Sequence, residues 1–479
     1  MFPNVFSEGS VSSRVVLPLY VLLSVSRAAL ATNPFVQYAI DFPDPNYVAA
    51  DNYAPNLAGA EATIIAWAEE MASHGPWSVT NKPVVAPSGD KHDYMSWAPY
   101  EWADCSNVKN TTALSLSDES KECNFVFRDG QVNPERSIIQ DFQSFFNLSD
   151  AVLYNSIAAV LQNKSSSVYS QNVAKFVNTW FLDADTAMNP NLNYAQMNRG
   201  PGSGQNGSYT GILDLRGFAK IASGILILRN SKNTDWTSDL DNQLIAWCNK
   251  YMDWLLTSPS GTQASHATNN HGTIFVSQFA ALKLITKDTA GAVNWTQNYF
   301  SGLFQHQVNS TGDQPEEASR THPYHYRNFD IAGMITNARI LKYADPTSKP
   351  WNTTASGATI QTTVDFLMTV NPATTGEQDV TAEIYPNIAA VASVYGDPDG
   401  KYVKFLNATG FPYADDATFL WDQPLAGGTL ATTNSTSTGG SGGGSGGGKS
   451  GGRSTGVGAV ERICFIAAVL MALGFELLL

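Results

Sequence analysis

Two short polar clusters, separated by an apolar segment, carry the residue types that could do chemistry in this chain. The first contains Asn270 and His271. The second begins at Arg320 and includes Tyr324 and Tyr326. An amide, an imidazole, a guanidinium and a phenol can neutralise a carboxylate, remove the proton beside it and protonate a departing oxygen. That combination predicts β-elimination at a uronic acid.

Elimination at a uronic acid makes three demands on a protein. The carboxylate must be neutralised so that charge can delocalise onto it, a base must take the C5 proton, and an acid must protonate O4. In gluco- and manno-configured uronates the C5 hydrogen and O4 lie on one ring face, so a single tyrosine can serve as base and then as acid. Because a free phenol has a pKa of about 10, a cation such as Arg320 must help the phenolate to form.

Four segments of the chain resemble the alginate-lyase-like polysaccharide lyases. They occur in order along the sequence: Lys91 to Trp102 followed by Arg128 to Glu135, Asn189 to Gln196 followed by Gly211 to Asp214, Asn269 to Thr273, and Arg320 to Phe329. Together they span most of the region in which helices are predicted. The resemblance implies a lyase that acts on a 1,4-linked uronan, either glucuronan or mannuronate-rich alginate.

The resemblance also implies roles for individual residues. Asn270 and His271 look like the groups that neutralise the carboxylate, with His271 as an alternative base, and Arg320 looks like the arginine beside it. Tyr326 resembles the catalytic tyrosine through its Tyr-x-Asn-aromatic-x-aliphatic run. Tyr324 stays an alternative, because the spacing from Arg320 to Tyr326 differs by one residue from the family pattern. Residues at which substrate contact is expected are Lys91, Tyr94, Trp97, Tyr194 and Gln196.

The elements that must position these residues are predicted to be helices. Apolar residues recur with a period of about 3.6, as at Val173, Phe176, Val177 and Trp180. The same pattern covers Ala62–Ser73, Asp141–Gln162, Phe218–Arg229, Asp239–Thr257, Ile274–Ile285, Val293–Val308, Phe329–Tyr343, Thr359–Val370 and Val380–Tyr395. Periodicity does not separate a toroid from another helix array. The family resemblance implies an all-α (α/α) toroid, complete or incomplete, with long loops forming a cleft.

Composition and charge restrict the partners of this chain. The 42 acidic and 28 basic residues give a net charge of -14, which argues against nucleic acid and against a polybasic membrane surface. An anionic polysaccharide therefore requires basic residues concentrated at the site. Clustered metal ligands at the usual spacing are missing from the sequence, so we expect neither a metal nor another cofactor. We expect a monomer.

Both ends of the sequence resemble processing signals. Residues 1–31 read as a signal peptide, because Arg14 precedes an apolar run and Ala29-Leu30-Ala31 fits a cleavage site. Residues 32–425 would then form the catalytic domain, and residues 426–450 a Gly/Ser/Thr-rich linker without a core. Residues 451–479 read as a GPI-attachment propeptide with Ser450 as the attachment site. The alternative is a C-terminal transmembrane anchor.

Cysteines and glycosylation motifs also indicate an oxidising, secretory route. Cys105 and Cys123 flank a polar segment and are predicted to form a disulfide, whereas Cys248 lies in a helical pattern as a buried free thiol. Glycosylation motifs occur at Asn110, Asn147, Asn163, Asn206, Asn294, Asn309, Asn352, Asn407 and Asn434. With the GPI signal, these features predict a secreted protein at a eukaryotic cell surface, and the linker favours a fungus.

Two other functions compete with the lyase interpretation. A glycoside hydrolase on a toroid would need two carboxylates flanking the bond, and the adjacent pair Asp415-Asp416 lies close to the linker and outside the helical patterns. A glycan-binding wall protein would need no catalytic residues. Replacing Tyr326 distinguishes these functions, because only a lyase should lose turnover while it keeps binding.

Overall fold

A computed structural model describes residues 41–53, 57–109, 114–162, 165–411 and 413–422. The α-helices are α1 Pro45–Ala49, α2 Ala58–His74, α3 Leu116–Glu122, α4 Asp141–Leu161, α5 Val168–Val177, α6 Phe218–Asn230, α7 Ser238–Thr257, α8 Pro259–Ser265, α9 Asn270–Ile285, α10 Thr289–Ser301, α11 Phe304–Gln307, α12 Pro315–Ala318, α13 Pro323–Ala344, α14 Ile360–Leu367, α15 Ile384–Tyr395 and α16 Lys401–Thr409. The β-strands are β1 Met95–Trp97, β2 Glu101–Asp104, β3 Asn124–Phe127 and β4 Tyr194–Met197. None of the described helices is long and apolar enough to cross a membrane.

Helices α4, α6, α9 and α13 form an inner layer in which each packs against the next. Helix α6 is buried on every face from Phe218 to Leu228, and α9 is buried along its whole length except at Lys283. Helices α2, α5, α7, α10 and α15 lie outside them, and α7 buries only one face. A largely buried inner layer and an outer layer of amphipathic helices confirm the predicted all-α toroid.

The beginning and end of the described chain meet on one side of this toroid. Arg339 of α13 is paired with Asp41 and with Asp422. The Tyr47 hydroxyl donates to the carbonyl of Leu420 at 3.0 Å. These contacts tie both ends of the described chain to α13, which also carries the second polar cluster.

The helices that carry the two polar clusters begin earlier than the sequence pattern predicted. Helix α9 begins at Asn270 instead of Ile274, because the Asn269 side chain caps it by accepting the His271 backbone N–H. Helix α13 begins at Pro323 instead of Phe329, with proline in the first turn, where its missing N–H costs nothing. Asn270, His271, Tyr324 and Tyr326 therefore lie in first helical turns, whereas Arg320 precedes α13. The predicted segment Val293–Val308 is divided at Gly302 into α10 and α11.

A small antiparallel hairpin projects from the helices. Strand β2 pairs with β3, with Trp102 opposite Val126, and a disulfide joins Cys105 to Cys123 at the end where the connecting segment leaves the strands. Strands β1 and β4 form a separate parallel pair. Cys248 is a buried free thiol. The hairpin is the element that brings residues from the first family-like segment over the second polar cluster.

Several predicted features fall outside the described residues. These are the signal peptide, the linker, the Ser450 attachment site and the glycosylation motifs at Asn110, Asn163 and Asn434. Of the remaining motif asparagines, Asn206, Asn294, Asn352 and Asn407 are exposed, whereas Asn147 and Asn309 are half-buried.

Candidate active site

His271 lies in the first turn of α9 and has one ring nitrogen fixed. Its Nδ1 is 3.0 Å from the Asn269 side-chain oxygen, which also accepts the His271 backbone N–H. Because that oxygen only accepts, Nδ1 carries the proton of the neutral ring and Nε2 keeps its lone pair. Burial, with a smaller effect of Arg320, lowers the pKa of His271 to about 4. The imidazole is therefore neutral at pH 7 and can accept a proton.

Asn270 is completely buried, and a glutamate holds it in place. Its backbone N–H and its Nδ2 each donate to one oxygen of Glu317 at 2.8 Å. Burial raises the pKa of Glu317, and these two hydrogen bonds oppose that shift. The predicted contact of Asn270 with a substrate carboxylate is not supported by this placement. As placed, Asn270 joins the start of α9 to the segment that leads into Arg320.

Arg320 and Tyr326 are stacked on each other. The guanidinium carbon lies 3.7 Å from the centroid of the Tyr326 ring, which is the geometry of a cation–π contact. Asp129 orients the guanidinium from the other side, with Oδ1 3.2 Å from Nη2. The Arg320 side chain is 24% exposed, so it can still reach a carboxylate in the cleft.

The Tyr326 hydroxyl contacts a second phenol. Tyr100, at the start of the hairpin, places its hydroxyl 2.8 Å from that of Tyr326. Burial and the neighbouring Tyr100 raise the pKa of Tyr326 above its ordinary value, although Arg320 opposes the shift. Tyr326 therefore holds its proton at rest, which suits an acid.

Tyr324 lies on a different side of α13. It is 2% exposed, and its hydroxyl donates to the carbonyl of Thr381 at 3.3 Å. Two residues on, the helix has turned by about 200°, so Tyr324 and Tyr326 cannot both face the cleft. The structure brings Tyr326, and not Tyr324, to Arg320.

Three of the residues predicted to contact substrate are buried instead. The Tyr94 hydroxyl and the Gln196 amide both donate to Asp214, at 3.1 and 2.9 Å. Trp97 is 1% exposed and lies under Arg199, whose Cζ is 4.4 Å from a ring centroid of the indole. Substrate contact by these three side chains is not supported by their placement. Tyr94 and Gln196 hold the two strands β1 and β4 to the helical turn that contains Asp214, whereas Trp97 packs against Arg199.

The other two predicted contact residues remain accessible. Lys91 is exposed, and its Nζ lies 3.3 Å from the carbonyl of Asp185. Tyr194 in β4 is half-buried and packs against the small apolar cluster around Met95. The structure does not bring either of them into contact with His271, Arg320 or Tyr326.

Sequence reasoning missed the residues that orient the site. Tyr100 and Asp129 lay within segments that carried the family resemblance, but no spacing rule linked them to Tyr326 and Arg320. Gly130 follows with φ +74°, and a Cβ there would lie 2.4 Å from Nε2 of His322. Only glycine fits this close approach. Gly130 therefore lets the end of the hairpin pack closely against the loop before α13.

Comparison with known proteins places the chain among lyases. Residues 78–377 match the family model described as alginate lyase. An alginate lyase from Bacteroides ovatus is 26% identical with a TM-score of 0.65, covering 77% of this chain and 94% of that one. Alginate lyase A1-III from Sphingomonas species A1 is 15% identical with a TM-score of 0.45, covering 81% and 99%. A comparison with curated protein sequences found no match.

Proposed function

Because the chain belongs to the alginate lyase family and is a polysaccharide lyase, we propose that it cleaves a 1,4-linked uronic-acid polymer by β-elimination. The polymer is glucuronan or mannuronate-rich alginate, and the products carry a 4,5-unsaturated uronate. The observation that carries this proposal is the stacking of Arg320 on a proton-bearing Tyr326. A cation beside a buried phenol at the end of a helical toroid suits a uronate and its departing O4.

In this proposal the two proton-transfer roles belong to different residues. Nε2 of His271 takes the C5 proton, the C5–H electron pair forms the C4–C5 double bond, and the C4–O4 bond breaks. Tyr326 donates its proton to O4, and solvent restores both side chains. The protonation states at rest support this assignment, since His271 is neutral and Tyr326 is protonated. It differs from the expectation that Tyr326 would act as both base and acid.

Neutralisation of the carboxylate is assigned to Arg320. Its guanidinium is partly exposed and held in place by Asp129 and by the Tyr326 ring. A planar guanidinium can bind a carboxylate through two parallel hydrogen bonds. Asn270 acts as a positioning residue through Glu317, because its amide is buried and already bonded.

The hydrolase alternative finds little support in the placement of the acidic residues. Asp416 accepts hydrogen bonds from Thr418 at the start of a short helical turn. Near the proposed site, Glu317 is bonded to Asn270 and Asp129 to Arg320. A pair of carboxylates free to flank a glycosidic bond, as hydrolysis requires, is not found among these residues.

Replacing Tyr326 with phenylalanine tests the proposed function. The hydroxyl that protonates O4 is lost while the ring under Arg320 remains, so kcat should fall by about 10²- to 10⁴-fold with polymer binding retained. Tyr324→Phe is the matched control, because it removes a buried hydroxyl that points away from Arg320, and its kcat should change little. Full activity of Tyr326→Phe would refute the assignment.

We also propose that the mature protein, residues 32–425 and the linker, is secreted and held at the cell surface by a lipid at Ser450. The Cys105–Cys123 disulfide and the exposed motif asparagines support an oxidising, glycosylating route. Release from intact cells by a phosphatidylinositol-specific phospholipase tests the anchor. Retention on the cells after that treatment would favour the transmembrane alternative.

A further inference from the structure

A groove of about 750 Å³ opens beside His271. One wall contains Asn269, which fixes the imidazole, and Tyr209, whose ring centroid lies 5.3 Å from that of His271. The opposite wall is formed by the end of α7 and by α8, including Thr262 and Gln263. Because Asn269 and Tyr209 both contact His271 and both line the groove, a sugar bound in the groove would lie next to the imidazole.

The groove has no cation to offer a second carboxylate. Among the described residues that line it, none is lysine or arginine. It does contain a carboxylate, because Glu316 is exposed there and the Thr268 hydroxyl donates to its Oε2 at 3.0 Å. The remaining polar groups are hydroxyls, amides and the His266 imidazole, whose Nδ1 is 2.8 Å from the carbonyl of Thr262.

The arginines of the site lie on the hairpin side. Arg320 is stacked on Tyr326 and paired with Asp129, which directly follows Arg128 in the chain. The Arg128 guanidinium covers the Trp102 ring of the hairpin at 5.1 Å. A uronate carboxylate is thus favoured at Arg320, whereas a uronate in the groove would place its carboxylate near Glu316 without a counter-charge.

We propose that this groove binds an uncharged sugar, so that the preferred substrate is a polymer in which a glucuronate alternates with a neutral sugar. A tyrosine ring beside hydroxyl and amide groups suits a neutral sugar, which offers an apolar ring face and hydroxyls. The carboxylate of Glu316 can accept hydrogen bonds from such hydroxyls, and it repels a carboxylate. This inference rests on the proposed elimination at a uronate and goes beyond the two polymers named there, because both of them carry a carboxylate on every sugar.

Initial rates on polymers of the two kinds test the inference. Hyaluronan and unsulfated chondroitin alternate glucuronate with a neutral N-acetylhexosamine, whereas glucuronan and polymannuronate carry a carboxylate on every sugar. We expect kcat/KM to be about three- to tenfold higher on the alternating polymers, as one uncompensated charge pair would give. A higher or equal value on glucuronan overturns the inference and leaves the proposed function in place. Cleavage of none of the four overturns both.

A charge-reversal variant tests the part played by Glu316. Glu316→Lys replaces the carboxylate with an ammonium group, so the ratio of kcat/KM on glucuronan to that on hyaluronan should rise about three- to tenfold. Asp399→Lys is the matched control, because it makes the same change in net charge at an exposed position that lines neither the groove nor the site. An equal shift of the ratio in both variants would show that Glu316 has no local effect and overturn the inference.

Discussion

At the scale of single residues, the proposed mechanism depends on which side chain holds a proton at rest. His271 is fixed by Asn269 so that Nε2 is free to accept, and Tyr326 keeps its phenolic proton because it is buried beside Tyr100. Residue types and the family resemblance named both residues as candidates. Their protonation could not be predicted, because it follows from burial and from Asn269 and Tyr100, whose contacts appear only in the fold.

This assignment makes a prediction about pH. The pKa of His271 is lowered to about 4, so its basic form is fully present above that value and is lost as the pH falls through it. The pKa of Tyr326 is raised, so its acidic form persists well into the alkaline range. We expect kcat/KM to be nearly level between about pH 5.5 and 8.5. A tenfold rise per pH unit across that range would instead assign the base to the Tyr326 phenolate.

Asn270 shows the limit of prediction at this scale. Its type and its place beside His271 suggested direct contact with a carboxylate. In the structure its backbone N–H and its side-chain Nδ2 instead donate hydrogen bonds to Glu317. The sequence could not reveal this pair, because Glu317 lies 47 residues further along the chain and its burial depends on the packing of α9 against α13.

At the scale of elements, helix starts and one hairpin bring the site together. The sequence predicted most helices, because buried stripes repeat with the helical period. It placed the starts of α9 and α13 too late, because their first turns are polar and break the apolar pattern. The Asn269 cap and Pro323 were the signals that could have corrected both boundaries.

The hairpin should support activity more than it supports the fold. Tyr100, just before its first strand, contacts the Tyr326 hydroxyl. Asp129, in the turn after its second strand, pairs with Arg320. Opening the disulfide with Cys105→Ser and Cys123→Ser removes the covalent closure of the segment between the two strands. We expect kcat/KM to fall about tenfold while the melting temperature of the toroid changes little.

Cys248→Ser is the contrasting variant for the hairpin. That thiol is buried on α7, away from the hairpin, so its replacement should lower the melting temperature and leave kcat/KM nearly unchanged. Circular dichroism melts and initial rates on the same samples would measure both quantities. Unchanged kcat/KM in the double variant would show that the hairpin does not position the site.

At the scale of the whole molecule, the proposed function has an acidic protein act on an acidic polymer. The net charge of -14 opposes the approach of a polyanion, whereas Arg320 attracts one sugar carboxylate locally. The composition alone showed that the net charge of the protein opposes the binding of an anionic polymer. The resolution of this conflict required the three-dimensional placement of Arg320 beside Tyr326, because residues distant in sequence converge at one end of the toroid.

The long-range repulsion predicts an unusual response to salt. The screening length shrinks from about 30 Å at 0.01 M to about 8 Å at 0.15 M ionic strength. The repulsion between distant acidic residues and the polymer is then screened. The attraction between the half-buried Arg320 and a sugar carboxylate is weakened less. We expect KM for a long uronan to fall over this range with kcat little changed, and the effect to be smaller for short oligouronates. A rising KM would mean that attraction dominates at a distance.

The most direct test of the account is the ultraviolet absorbance of the unsaturated uronate during incubation of residues 32–425 with the four polymers. Elimination creates the C4–C5 double bond, and hydrolysis does not. If the proposed function is right, absorbance rises steadily with at least one of these four polymers and does not rise with the Tyr326→Phe variant. New reducing ends without any rise in absorbance would contradict it, because that result would show hydrolysis at this site.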